Sequence, residues 1–355
     1  MFNNVVIVGL GLMGGSLALA IKKHKLAKSI IAYDNSPKVI DYAIKQSMVK
    51  RGETDMSLLR QEGDQADDLI IIAVPLSATV SIVEELNPNL NAIVTDIGSA
   101  KNHLQLLFSN LSSTHGVDNN LQHNFIPSHP LAGIEHNGVV NATPDLYENA
   151  KCIITPFQSN SPDRVHKLAE FWQAINSTTY YMDIIQHDKI FSYTSHLPHL
   201  LAYSLIGTLT HDKNLATVMS YSGGGLRDFT RIASSDEKMW TDIFTTNNDN
   251  LINALGSFQS FIGKMRHSLQ SNNKQDIFAL LQHSRKTKQL MMQPDTHGSR
   301  DDEIDYVVSP CEKITGEISV DTDKSISHRA IMIASLASGA SQISNFLTAE
   351  DTINT

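Results

Sequence analysis

The sequence predicts an α/β protein: a mostly parallel sheet covered by helices on both faces, then an all-α region, then a short C-terminal fragment. Three observations predict it. Up to about residue 182, short runs of near-continuous apolar, β-branched character alternate with helical stretches, as happens when strands are buried on both faces. After Asp183 those runs stop and the apolar residues recur at helical spacing. Third, 355 residues that are 41% hydrophobic and 18% charged make an ordinary globular composition, long enough for two or three cores.

Val5-Val6-Ile7-Val8 is the first strand. Gly9-Leu10-Gly11-Leu12-Met13-Gly14 follows it directly and opens a helix through Leu17, Leu19 and Ile21. Gly9 allows the tight turn, Gly11 lets the backbone approach a pyrophosphate, and Gly14 lets helix pack on strand; the helix N-terminus, with Leu12 and Met13, offers its N–H groups to the anion. Ile30-Ile31-Ala32-Tyr33 is the second strand, closed by Asp34 twenty residues after Gly14. A carboxylate there accepts hydrogen bonds from ribose hydroxyls and repels a 2'-phosphate, which favours NAD over NADP, with Lys38 the one nearby cation against it. Strand, glycine loop, helix and acid together make the first domain Rossmann-like.

The run Leu69 to Val74 ends in Ala73-Val74-Pro75 at the carboxyl edge, where ligands bind in open sheets. Ala92-Ile93-Val94-Thr95 leads into Asp96-Ile97-Gly98-Ser99-Ala100-Lys101. Phe125-Ile126-Pro127-Ser128-His129-Pro130 places His129 just past a strand end on the same edge, where a neutral imidazole near pH 7 is a candidate general base. Cys152-Ile153-Ile154-Thr155 and residues 178–182 read as later strands that finish the sheet.

Residues 190–209, 239–269 and 277–292 read as long helices, with Pro198 kinking or breaking the first. Helices this long and apolar after a complete sheet domain point to a homodimer interface. Ser195-His196-Leu197-Pro198-His199 carries two histidines at i,i+3, but no nearby carboxylate or cysteine completes a ligand set, so a metal site is rejected. Arg227 and Arg231, one turn apart after Gly223-Gly224-Gly225, can present a fork to a carboxylate or can simply be solvated.

Lys plus Arg is 28 against 37 Asp plus Glu, a formal charge of -9, which excludes a general nucleic-acid or anionic-membrane binder and leaves an anionic substrate dependent on local arginines. Cys152 and Cys311 are too few for a disulfide framework or a thiolate zinc site, which fits a reducing compartment. The longest apolar run, residues 69–76, is far short of the ~18 residues of a membrane span. Residues 1–4 lack the basic start of a signal peptide, so a cytoplasmic protein is expected.

The ordered set Gly9-x-Gly11-x-x-Gly14, Asp96-x-Gly98-Ser99-x-Lys101, Ser128-His129-Pro130-x-Ala132-Gly133, Ser195-His196-Leu197-Pro198-His199 and Arg227-Asp228-Phe229-Thr230-Arg231-Ile232-Ala233, with Met239-Trp240 beyond, resembles the prephenate and arogenate (cyclohexadienyl) dehydrogenases over residues 1 to about 292. The resemblance implies NAD-dependent oxidative decarboxylation of prephenate to 4-hydroxyphenylpyruvate, with arogenate as a second substrate. It implies that His129 takes the proton of the ring hydroxyl, that Ser99 hydrogen-bonds near that hydroxyl and the nicotinamide, and that Arg231 holds a substrate carboxylate. It further implies that His199 lines the pocket, that Glu135 gates it with Arg231, and that Trp240 reaches it across a dimer interface. The competing readings are an NAD-binding regulator without turnover and another β-hydroxyacid-type dehydrogenase, which would place a lysine base on the helical domain.

The expected domains are 1–182, nucleotide-binding; 183–292, helical substrate and dimerisation domain; 293–309, a polar linker with Pro294, Gly298 and the run Arg300-Asp301-Asp302-Glu303; and 310–355. In the last segment Gly316-Glu317-Ile318, Asp323-Lys324-Ser325-Ile326-Ser327-His328-Arg329-Ala330 and Glu350-Asp351-Thr352 are similar to the opening of enolpyruvylshikimate-phosphate synthase. That family implies phosphate and carboxylate contacts from Lys324, Ser325 and Arg329. Asp321-Thr322 stands where the family has Pro-Gly, and only the start of the fold is present, so the segment reads as a truncated piece of a bifunctional fusion without transferase activity.

Overall fold

Along β1 (Phe2–Val8) successive side chains point to opposite faces, and both faces are buried. Val5 and Ile7 pack with Leu17 and Ile21 of α1 (Leu12–Lys23) and, beyond them, Phe171 and Trp172. Val6 and Val8 face the other way, into a second cluster with Ile82, Val83, Leu104, Phe108 and Phe125. The doubly buried run of the sequence is therefore a central parallel strand.

The computed structural model describes residues 2–63, 65–115, 120–134, 136–209 and 220–291, with Arg329, Ala330 and Ala334. Met1–Leu280 forms one compact unit and Leu281–Thr355 another. The Glu135 assignment, the linker and, those three residues apart, the C-terminal segment lie outside the described residues.

β1, β2 (Ala27–Tyr33), β3 (Arg51–Glu53), β4 (Leu69–Ile72) and β5 (Ile93–Asp96) form a parallel sheet of order β3-β2-β1-β4-β5. The order reverses at β1, so the crevice beyond the carboxyl ends of β1 and β4 is the topological switch point, the usual ligand site of such sheets. Crossovers run through α1, α2 (Pro37–Lys45), α3 (Leu76–Glu85) and α4 (Asn102–His115). Then come α5 (Asn120–Asn124), β6 (Ser128–Pro130), β7 (Lys151–Ile154), α6 (Pro162–Ala174) and β8 (Thr178–Tyr181).

The later strands do not simply finish the first sheet, as the sequence predicts. They form a second one, order β6-β7-β8, with β6 antiparallel to β7 and β7 parallel to β8. A single parallel bridge, Val94 to Phe125, joins it to β5, and the Ser128 hydroxyl donates to the Asp96 carbonyl at 2.9 Å. Two prolines, Pro127 and Pro130, flank the segment and deny it the N–H donors a longer ladder needs. His129 is thus the middle residue of its own short strand rather than a residue past a strand end, although it sits level with the end of β5.

Asp183 caps α7 (Ile184–Phe191) by accepting from Ile185 and Gln186 N–H. The helix starts six residues earlier than its apolar pattern shows. It runs on through a π turn, Ser192–His196, into α8 (Leu197–Leu209). The chain therefore stays helical through Pro198, with no break, and a π turn directly precedes the proline. The second long helix is two, α10 (Glu237–Thr246) and α11 (Asn248–Gln270), parted at Asn247. They follow α9 (Gly224–Thr230), and α12 (Lys274–Met291) comes last.

Candidate active site

The glycine loop has the shape a dinucleotide needs. Gly9 adopts φ +92°, and a Cβ there would stand 2.5 Å from the Ala73 carbonyl oxygen. A Cβ on Gly14 would meet the Gly9 carbonyl at 1.9 Å, so helix and loop are already in contact. At Gly11 a Cβ would meet nothing within 4 Å: the backbone faces open space. No side chain caps α1, which leaves its first N–H groups for an anion. The Asp34 carboxylate accepts from Leu10 N at 2.8 Å and Ser36 N at 2.9 Å, tying the acid to the loop while it remains half-buried at the end of β2. Met13 anchors the loop from behind through its carbonyl, which takes the Tyr147 hydroxyl proton at 2.8 Å. Ala73, Val74 and Pro75 continue the edge from β4 and grow more exposed toward Pro75. Loop, helix end and acid fit a bound dinucleotide.

The next edge carries a buried polar chain. Lys101 and Asp96 form a fully buried ion pair, and Gly98 N–H donates to the same carboxylate at 2.9 Å, which fixes the turn that holds half-buried Ser99. Lys101 N and Asn102 N, at the start of α4, donate to Asp188 at 2.9 and 2.7 Å. Asp188 Oδ1 accepts from His187 Nδ1 at 2.8 Å, and His187 Nε2 lies 2.9 Å from His129 Nδ1. Phe191 packs on both imidazoles, with ring centroids at 4.7 and 4.5 Å.

Burial, with the positive field of His187, Lys101 and His196, holds His129 well below the ordinary imidazole range, so it is a neutral proton acceptor. Burial lowers His187 as well, against the pull of Asp188. For Asp188 burial acts upward, but hydrogen bonds from His187 and the α4 backbone prevail and keep it ionised. Burial of the Lys101 ammonium lowers it despite Asp96. Cys152, on β7 beside Ser128, is raised by burial and stays a thiol.

The helical region supplies the opposite wall. His199 stacks on Trp240 at 3.6 Å and 21°, and its Nδ1–H donates to the Ser195 carbonyl at 2.9 Å. Burial lowers His199, and the Arg231 guanidinium close by lowers it further. Trp240 packs with Leu76 and Ala100, the neighbours of Pro75 and Ser99, so this wall meets the cofactor edge. Within its own chain, Trp240 thus packs on the residues next to Pro75 and Ser99. His196 turns the other way, to Asn247 at 3.1 Å, and burial lowers it to about 4. Arg227 donates to the Ser222 carbonyl at 3.2 Å, and Arg231, at the end of the same helix, opens a 3-10 turn. Among the described residues no group of His, Cys, Asp and Glu could hold a metal ion.

The sequence reading missed His187, Asp188 and Asn247. The signal was present as His187-Asp188, two adjacent polar residues in the first turns of an apolar helix whose N-cap is itself an aspartate.

A switch-point glycine loop, met by a helical region that brings His199 and Trp240 to the same edge, defines a nucleotide-binding domain followed by a helical one. Residues 17–181 match the family described as prephenate dehydrogenase, nucleotide-binding domain, and residues 184–283 its dimerization domain. The cyclohexadienyl dehydrogenase of Zymomonas mobilis is 31% identical over 296 residues, 82% of this chain and 96% of that one. The prephenate dehydrogenase of Bacillus subtilis is 32% identical over 283 residues, 78% of this chain and 73% of that one. A crystal structure of the Aquifex aeolicus prephenate dehydrogenase, solved with hydroxyphenyl propionate and NAD+, superposes with TM-score 0.73 at 29% identity, covering 82% of this chain and 99% of that chain. The chain belongs to the prephenate dehydrogenase family.

Residues 308–355 match a second family, EPSP synthase (3-phosphoshikimate 1-carboxyvinyltransferase). The enzyme of that name from Petrotoga mobilis is 56% identical over 48 residues, which span 11% of its length.

Proposed function

We propose that the chain catalyses the NAD-dependent oxidative decarboxylation of prephenate to 4-hydroxyphenylpyruvate, with arogenate as an alternative substrate. The observation that carries this reading is the buried His129, held below the ordinary imidazole range, whose Nδ1 is occupied by His187 Nε2 at 2.9 Å, which leaves Nε2 as the ring nitrogen for a substrate proton. Bound NAD supplies the hydride acceptor. Gly9, Gly11 and Gly14 admit its pyrophosphate to the N-terminus of α1, and Asp34 receives the ribose hydroxyls.

His129 Nε2 takes the proton of the ring 4-hydroxyl as hydride leaves the same carbon. The ring carboxylate departs as carbon dioxide, and its bonding pair completes the aromatic ring. That outcome is strongly downhill, so the protein's share is orientation, one base and charge recognition. Ser99 orients the hydroxyl against the nicotinamide. Arg231 pairs with a carboxylate of the dianion, and His199 with Trp240 walls the pocket; Glu135 acts as a gate with Arg231. The dimerization-domain match and the exposed Ile252, Ile262, Leu269 and Phe278 support a homodimer through α11 and α12. The free thiol of Cys152 supports action in the reducing cytoplasm. The C-terminal segment is proposed to contribute no transferase activity.

The test is NADH formation followed by absorbance with prephenate and, separately, with arogenate, for the wild type and His129→Asn. Turnover with at least one substrate is expected, with a loss of ~100-fold or more in the variant and little change in NAD affinity. Silence with both substrates, or an unimpaired variant, contradicts the reading.

A further inference from the structure

We propose that His187 and Asp188 are positioning residues for His129: they hold its imidazole in the tautomer that bares Nε2, and they stabilise the imidazolium formed when Nε2 takes a proton. The proposal rests on the reading of His129 as the base.

The argument starts at Asp188. Its carboxylate receives Lys101 N at 2.9 and 3.1 Å, Asn102 N at 2.7 Å and His187 Nδ1 at 2.8 Å. The backbone partners can only donate, and they sit at the positive end of α4, so the group is an ionised acceptor. His187 must then carry its proton on Nδ1. As a neutral ring it has its lone pair on Nε2, which lies 2.9 Å from His129 Nδ1. Two lone pairs cannot face each other at that distance, so His129 is protonated at Nδ1 and unprotonated at Nε2. One carboxylate thus dictates the tautomers of two histidines in series.

When Nε2 accepts the substrate proton, one O–H bond breaks and one N–H bond forms. The new positive charge remains in contact with the His187 lone pair, behind which stands the Asp188 carboxylate. The other groups facing His129 do not supply this. Lys101 and His196 oppose the charge, Lys101 is already paired with Asp96, and Cys152 is an uncharged thiol. Phe191 locks both rings in place. His187 and Asp188 belong to α7 while Lys101 and Asn102 belong to the sheet domain, so the same carboxylate that sets the base also pins the helical region to the nucleotide-binding edge.

The experiment uses the full chain with His187→Phe, His187→Gln, Asp188→Asn and His129→Asn. It records melting temperature, kcat, the KM values for prephenate and NAD, the pH profile of kcat/KM, and the long-range 1H–15N spectrum of the wild-type imidazoles. His187→Phe is expected to lower kcat by ~10- to 100-fold with both KM values within about threefold. The acid limb of its profile should move to lower pH, because the imidazolium loses its acceptor. His187→Gln, whose Oε1 can accept from Nδ1–H, should recover most of the rate. Asp188→Asn should lose at least ~10-fold with the same displacement of the limb. The wild-type spectrum should show His129 protonated at Nδ1.

A His187→Phe enzyme with wild-type kcat, a loss without displacement of the limb or recovery by Gln, or a proton on Nε2 of His129 overturns the proposal. Where His187→Phe does not fold, Asp188→Asn and the wild-type spectrum decide on the same criteria. An unimpaired His129→Asn overturns the proposed function with it; an impaired one beside unimpaired 187 and 188 variants overturns this proposal alone.

Discussion

In the proposed reaction, Arg231 has to attract a dianion to a chain whose formal charge is -9. It stands close enough to His199 to lower that imidazole, which burial and stacking on Trp240 already favour as a neutral ring. The proposal makes the guanidinium the positive group beside this neutral aromatic pair. A charge-assisted, two-pronged contact with a carboxylate contributes about 1.5–3 kcal/mol, a factor of roughly 10–100 in affinity. Arg231→Ala should accordingly raise KM for prephenate by ~10- to 100-fold and leave KM for NAD within about twofold. Arg231→Lys should recover only part of this, since an ammonium is a point charge without the planar fork. Steady-state kinetics with each substrate varied in turn checks both values, and a larger effect on NAD than on prephenate contradicts the placement.

At the scale of elements, the glycine loop separates packing from binding. Gly14→Ala puts a methyl group 1.9 Å from the Gly9 carbonyl, so loop or helix must move; a stability loss of about 1–3 kcal/mol, read as a lower melting temperature, is expected along with weakened NAD binding. Gly11→Ala meets nothing within 4 Å, so its melting temperature should match the wild type while NAD affinity, measured by calorimetric titration, falls at least ~10-fold. Equal NAD affinity in Gly11→Ala and wild type would remove the loop from the cofactor site. This loop was legible in the sequence because backbone geometry restricts it to glycine, and the buried strands were legible because burial on both faces demands an unbroken apolar run. β3 was not: Arg51-Gly52-Glu53 is a three-residue edge strand with one neighbour, and nothing in its composition marks it. The break at Asn247 was hidden because apolar spacing continues across it, from Ile243 to Leu251. Only the fold shows that the Asn247 amide is spent on the Asp188 carbonyl and His196. His129 stood out as a candidate by residue type and position, the roles expected of His199 and Arg231 came from the family resemblance, and the His187–Asp188 pair has meaning only once α7 lies against the start of α4.

The whole molecule stores neutral histidines where the helical region meets the sheet domain. Burial holds His103, His129, His187 and His196 below the ordinary imidazole range, His196 at about 4. In the unfolded chain each would titrate near 6.5. Because the folded values are the lower ones, the unfolded state binds more protons between the two. Stability is therefore complete above about pH 6.5 and is lost as pH falls toward the folded values, with His196 alone accounting for roughly 3 kcal/mol by pH 4. Asp188 has the opposite chemistry and a different window: its folded value lies below 3.8, so its contribution disappears only in stronger acid. Melting temperatures by scanning calorimetry should be nearly constant from pH 8 to 7 and should fall with increasing slope below about pH 6.5. His196→Gln should melt lower at neutral pH but with a shallower fall, because one proton fewer is taken up on unfolding. A flat profile between pH 7 and 5 contradicts the burial of neutral imidazoles. Acid inactivation should then divide in two: with His129 as the proposed base, loss of turnover that reverses on neutralisation reports its protonation in the folded enzyme, whereas loss that tracks the melting curve reports the other histidines taking up protons as the fold opens.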